Sequence, residues 1–241
     1  MTEISKKAQF VQGLKAGIPV ILGFVPVGIA YAIMARQAGF DVAQTCIMSL
    51  SVFAGASQMM AVGMYTQGAG LVAMILATFI LNLRHLIMST CVMNRMRDGS
   101  AASRLLAAFG VTDESFAIFT TEQRPKCTVS YLLGLVVVTY ASWNVGTFIG
   151  AVASDLLPAI LSASLGIALY AMFIGLLVPN LSGNGRLGLL VLLTAVCNTI
   201  LNQFMASSWA LIFSTLLCAF VGVFFVDLPE DGGREAADEN N

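Results

Sequence analysis

Charge is what this chain most lacks. Only 10% of its 241 residues are Asp, Glu, Lys or Arg, while 58% are apolar; a soluble domain usually carries about a quarter charged. So little charge cannot cover a surface that faces water, and the solvent around the chain is expected to be lipid. Histidine is almost missing as well, with His85 alone. With few acids inside the apolar runs besides, an intramembrane metalloenzyme is not expected, and neither a metal nor a cofactor is. The sequence contains no GxxxxGK[ST] loop for phosphates, no HExxH, no nucleophile elbow and no glycine-rich dinucleotide turn. ATP hydrolysis is therefore excluded, no enzymatic activity is expected, and no nucleic-acid partner is expected either. The five cysteines, Cys46, Cys91, Cys127, Cys197 and Cys218, show no CxxC spacing. They read as small apolar packing residues, not as a disulfide framework or a zinc site. A signal peptide is not expected: Gly17–Ala35 is too long for a signal core, and no cleavage site follows.

What is present is a succession of greasy stretches, several near the ~20 residues that cross a bilayer. They fall at about Gly17–Ala35, Val42–Met64, Gly70–Leu83 (running on to Met93), Thr128–Ser154, Leu156–Asn180, Leu187–Asn202 and Ser207–Val226. A weaker segment, Leu105–Thr121, carries Asp113 and Glu114. The expected fold is all-α: a polytopic integral membrane bundle of about eight helical segments, about six of them full spans. Loops are short, so residues 1–226 are expected to form a single transmembrane domain. The last fifteen residues hold six acids and one arginine and read as a disordered acidic cytoplasmic tail, residues 227–241. Without it the body carries 11 basic and 7 acidic residues, net +4.

Orientation follows the bias of Lys and Arg toward cytoplasmic loops. If every stretch crossed once, the loop with Arg95, Arg97 and Arg104 would lie outside. If Val42–Met64 dips in and returns, and Leu105–Thr121 does likewise or lies at the interface, all basic loops fall inside and both termini are cytoplasmic. The second arrangement is favoured. Ser51, Gly55, Ser57 and Gln58 suit a break within Val42–Met64, although small residues packing against a neighbour would leave the same pattern. Gly13-x-x-x-Gly17 and Gly146-x-x-x-Gly150 mark close-packing helices. A faint likeness between spans closing on Asn82 and Asn180 leaves inverted repeats open.

The polar residues of "FILNLRHLIM" stand out. At about 100° per residue, Thr78, Asn82, His85 and Ser89 share one narrow stripe, and Arg84 points about a third of a turn away. An unpaired arginine at bilayer depth is costly. Arg84 therefore either snorkels from a span ending near Leu83, pairs with a group on another helix, or serves substrate or coupling. His85 is a seam residue or a group that titrates near neutral pH. In "VTDESFAIF", Thr112 is a good N-cap with Asp113 and Glu114 in the first turn. Either acid is alternatively a proton carrier or the partner of Arg84.

"FAGASQ" (Phe53–Gln58), "NLRHLIMS" (Asn82–Ser89) and "TDESFAI" (Thr112–Ile118), in this order after "GLKAGIPVILGFVPVGIAYAIMARQAGF", resemble the AzlC family, the large subunit of bacterial branched-chain amino acid exporters. The resemblance implies a secondary transporter for leucine, isoleucine, valine and often methionine in the bacterial inner membrane, working with a small AzlD-type membrane subunit. Gly55, Ser57, Gln58, Asn82, Arg84 and His85 are then candidates for substrate binding, and His85, Asp113 and Glu114 for proton coupling. A passive channel and a non-transporting scaffold subunit are the alternatives.

Overall fold

The computed structural model describes residues 5–96, 98–123, 126–154 and 185–225, with the isolated positions 174, 177, 178 and 181. The expected span Leu156–Asn180 lies almost wholly outside them, as do Arg97 and the acidic tail. The described residues are helical, without strands. They belong to two compact units, Met1–Met172 and Phe173–Asn241.

The first unit is built on a pair of long helices, α1 (Lys6–Gln37) and a later helix, Val129–Ala153, introduced below as α7. Glycine lets their backbones touch. A Cβ on Gly28 would lie 2.8 Å from the Trp143 carbonyl, and one on Gly146 or Gly150 would lie 2.5–2.6 Å from the carbonyls of Val25 and Ile29. Gly13 and Gly134 meet Tyr131 and Phe10 in the same way at the other end. The paired positions rise together in both helices, so the two run parallel.

From the far end of α1 the chain turns at Gly39, whose φ of +95° is one that L side chains rarely adopt. Asp41 and Gln44 then close a capping box on α2 (Val42–Ser51). Val52–Ala54 is not helical, with the Ala54 N–H turned back to the Val52 carbonyl at 2.9 Å, and the chain becomes helical again as α3 (Gly55–Thr66). The interrupted segment is a hairpin. It descends past Tyr31, whose hydroxyl donates to the Thr45 carbonyl, to Leu50, whose carbonyl accepts from Tyr140. It then returns to Tyr65, whose ring lies 5.2 Å from that of Phe40 near the starting point.

α4 (Leu71–Arg95) runs back the other way and does not stop at Leu83. Beyond it, Asp98 accepts from the backbone N–H of Val129 at 2.7 Å, so the end of α4 lies beside the start of α7. Leu105–Thr121, expected as one segment, is two short helices: α5 (Ala101–Phe109), capped by Ser100, and α6 (Asp113–Thr121). Between them, Gly110 sits tight against Val136, where a side chain would clash. The pair returns to its own starting end, where Glu122 accepts from Arg95 through its carbonyl and from Tyr131 through its carboxylate. α7 then starts at Val129 under a Thr128 cap. Two broken hairpins thus enter the α1–α7 frame from opposite ends.

Among the described residues, α1, α4 and α7 are long and apolar enough to cross a membrane. α4 shows Leu71, Val72, Ile75, Phe79, Leu86 and Ile87 outward, as a helix bathed in lipid does. The second unit contains α8 (Gly185–Leu201) and α9 (Ser207–Phe225), both apolar. Leu190 of α8 packs on Gly222, and Ser214 donates to Asn198 across the pair. The molecule is a helical membrane protein.

Candidate functional site

The two hairpins approach the middle of α4 with the N-terminal ends of their second limbs. From α3, the Ser57 hydroxyl donates to the Asn82 side-chain oxygen at 2.6 Å. From α6, Asp113 lies 3.0 Å from the Arg84 guanidinium. Both side chains of that ion pair are about one-third exposed, 36% and 35%, so the pair is not sealed inside the bundle. His85 sits one residue on, its Nδ1 buried with no hydrogen-bond partner among the described residues, and the same holds for Nε of Arg84. Such orphans carry a cost unless something satisfies them. One turn further, Ser89 reaches the Ala108 carbonyl at 3.4 Å, beside the break of the second hairpin.

Of the polar stripe of α4, Asn82 and Ser89 contact the two hairpins, whereas Thr78 bonds back to the Met74 carbonyl of its own helix and His85 Nδ1 has no partner among the described residues. Arg84, a third of a turn off the stripe, is met by a carboxylate from another helix. The half-helix ends differ in chemistry. Thr112 caps α6 reciprocally with Ser115, at 2.8 Å from the Thr112 N–H to the Ser115 hydroxyl, and Asp113 and Glu114 occupy its first turn. Ala54, by contrast, gives α3 no side-chain cap. The first N–H groups of α3 therefore have no side chain of the preceding residue accepting from them.

Gln58 stands next to Ser57 but faces the frame. Its side chain is fully buried, donating to Ser49 of α2 at 3.2 Å and accepting from the Trp143 indole at 3.0 Å. The same indole N–H lies 3.1 Å from Ser49, which is 2.8 Å from Thr147. Gly55 lies under the Trp143 ring, 2.5 Å from where its Cβ would be. Gly55 and Gln58 thus shape the break, whereas Ser57, Asn82, Arg84, His85 and Asp113 gather on the α4 side, with half-buried Glu114 following in α6. Ser49, Trp143 and Thr147 had no signal of their own in the sequence; asking what could satisfy a buried glutamine would have been the route to them. Asn144, by contrast, donates to the Tyr140 carbonyl within its own helix.

Residues 19–157 match the family described as AzlC protein, a segment that contains every residue of this site from Ser49 to Thr147. The chain belongs to the AzlC family. It is 33% identical to an uncharacterized membrane protein of Archaeoglobus fulgidus, over 76% of this chain and 81% of that one. It is 30% identical to the inner membrane protein YgaZ of Escherichia coli, over 72% and 74%. A protein of Bacillus subtilis named as the branched-chain amino acid transport protein AzlC is 27% identical, over 63% of this chain and 61% of its own length. No solved structure matches the chain.

Proposed function

We propose that this chain is a secondary transporter that exports branched-chain amino acids, leucine, isoleucine, valine and with them methionine, across the bacterial inner membrane. The observation that carries the reading is the convergence of two half-helix ends, entering from opposite directions, on Asn82 and Arg84, with His85 next in the chain. Transporters place their sites where discontinuous helices end inside the membrane. The name of the Bacillus subtilis relative supports the substrate class.

The chemistry suits a zwitterion with an aliphatic side chain. The carboxylate goes to the uncapped start of α3 at Gly55–Ser57 and to Arg84. The ammonium goes to oxygen acceptors such as Asn82 and the carbonyls freed at the end of α2. Asp113 competes with the substrate for Arg84, so that binding and release of the ion pair are linked. A proton carried by His85, Asp113 or Glu114 couples export to the gradient. Both termini are cytoplasmic, which places the basic end of the frame (Lys6, Arg95, Arg104, Lys126) inside. A small AzlD-type membrane subunit completes the transporter.

The test is flux of labelled leucine from loaded proteoliposomes, with and without a pH gradient and with and without the small subunit. Gradient-driven accumulation that is lost in at least one of His85→Ala, Asp113→Asn and Glu114→Gln is expected. Equilibration without accumulation would identify a passive channel instead, and intact coupling in all three variants would remove the proton-carrier roles.

A further inference from the structure

The knot behind the break has one feature that simple packing does not require: it joins both limbs of the first hairpin to the frame through a single atom. The Trp143 indole N–H, on α7, is shared between Ser49 at the end of α2 and Gln58 in the first turn of α3. Ser49 accepts from Trp143 and Gln58 and hydrogen-bonds Thr147, which uses the one donor and two acceptor positions of a hydroxyl completely. All four side chains are buried. The ring also fills the space over Gly55 and is edge-on to Phe24 at 5.7 Å. The non-helical residues Val52–Ala54 are thus spanned by a bridge from Ser49 to Gln58.

We propose that Trp143 is a positioning residue that holds the two limbs of the broken helix at a fixed separation, and so sets the geometry in which the start of α3 meets the carboxylate of an amino acid. The proposal rests on the transport reading above for its substrate. The bridge itself does not. Trp143 touches no substrate in this account. It acts through Ser49 and Gln58 on the backbone of Gly55–Ser57, one residue from the Ser57–Asn82 contact. Because both limbs hang on one N–H, breaking either side of the bridge releases the same constraint.

The chain has two tryptophans, so Trp209→Phe leaves Trp143 as the only indole in the full-length protein. In that background, reconstituted in lipid, Ser49→Ala and Gln58→Leu should each shift the Trp143 emission to the blue without any substrate, because each removes an acceptor from its N–H. In flux assays, Trp143→Phe, which removes the N–H donor and with it the outer ring that lies over Gly55, should raise the half-saturating leucine concentration roughly tenfold. The maximal rate should fall much less. Gln58→Leu should do the same, and the Trp143→Phe/Gln58→Leu double variant should be no worse than either single one.

Effects that multiply in the double variant, or an unchanged half-saturation in both single variants, would overturn the proposal. So would a fall in maximal rate alone that follows the amount of folded protein. If the wild type moves no branched-chain amino acid, the transport reading fails, and the emission shifts still decide whether the bridge exists: no shift in either variant refutes it.

Discussion

The α1–α7 pair and α4 show two ways of holding a helix in a membrane bundle. α1 and α7 meet backbone to backbone over their length, through Gly13, Gly28, Gly134, Gly146 and Gly150, with Arg36 bonded to Ser154 at one end and Gln9 to Thr128 at the other. α4 buries few residues, among them Ala73, Ala77, Met88 and Val92, and is joined to the hairpins by polar contacts at Asn82, Arg84 and Ser89. Close packing of small residues tolerates no sliding, because any shift drives a carbonyl into a Cα. Polar contacts made at a few points can be exchanged for contacts to water, a proton or a solute. The difference assigns the scaffold to α1–α7 and the working contacts to α4.

The largest effect expected from this contrast is on folding. Gly146→Val or Gly134→Val should cost about 3 kcal/mol or more and abolish insertion or thermal stability, since the new side chain meets the backbone of α1. Gly63→Ala, where nothing lies within 4 Å, should be neutral or slightly stabilising by about 1 kcal/mol. Melting curves in detergent read both, and equal losses would erase the distinction between frame and surround.

Next in size is the ion pair. Arg84→Ala leaves Asp113 unpaired in the first turn of α6, and should remove most leucine flux while lowering stability by only about 1 kcal/mol, because the pair is partly exposed and the helix end keeps its Thr112–Ser115 cap. Exchanging the two charges, Arg84→Asp with Asp113→Arg, should restore folding more than flux, which separates a structural pair from one that also serves substrate. Ser57→Ala, which removes one hydrogen bond to Asn82, should cost less: a severalfold change in flux, with about 1 kcal/mol in stability.

The smallest effect lies outside the spans. Burial pushes the Glu122 carboxyl up, but the hydrogen bond and charge of Lys126, 3.0 Å away, hold it below the usual carboxylate range. A carboxyl lowered on folding stabilises the protein above its ordinary range and stops doing so as the pH falls through the lowered value. Glu122→Gln should therefore flatten the acid side of the stability profile by less than about 1 kcal/mol after solvent screening, measured as melting temperature against pH.

Much of this architecture was legible in local chemistry. The small residues of "FAGASQ" are where the second segment breaks, Thr112 is the cap of α6, and Arg84, which cannot remain unpaired at depth, finds a carboxylate in Asp113. Each of these follows from a few consecutive residues or from helical spacing. The pairing of Gln58 with Ser49, Trp143 and Thr147 is different in kind. It joins residues up to 98 positions apart, and no periodicity announces it. The division of Leu105–Thr121 was hidden for another reason: Gly110 is a single glycine in an apolar run, and its role depends on Val136 lying against it. Local rules find ends and breaks, and tertiary contact decides what the breaks face.

The contrast between frame and α4 predicts that transport needs the α3–α4 contact to open while α1 and α7 stay packed against each other. The direct measurement is leucine flux through two crosslinked variants, made with the five native cysteines replaced and closed with a short bismethanethiosulfonate reagent. One joins α3 to α4 through Ser57→Cys and Asn82→Cys; the other joins α1 to the start of α7 through Gln9→Cys and Thr128→Cys, whose native side chains lie 3.0 Å apart. Flux that stops in the first, returns on reduction and persists in the second is the predicted result. Equal transport through both crosslinked forms would contradict the account.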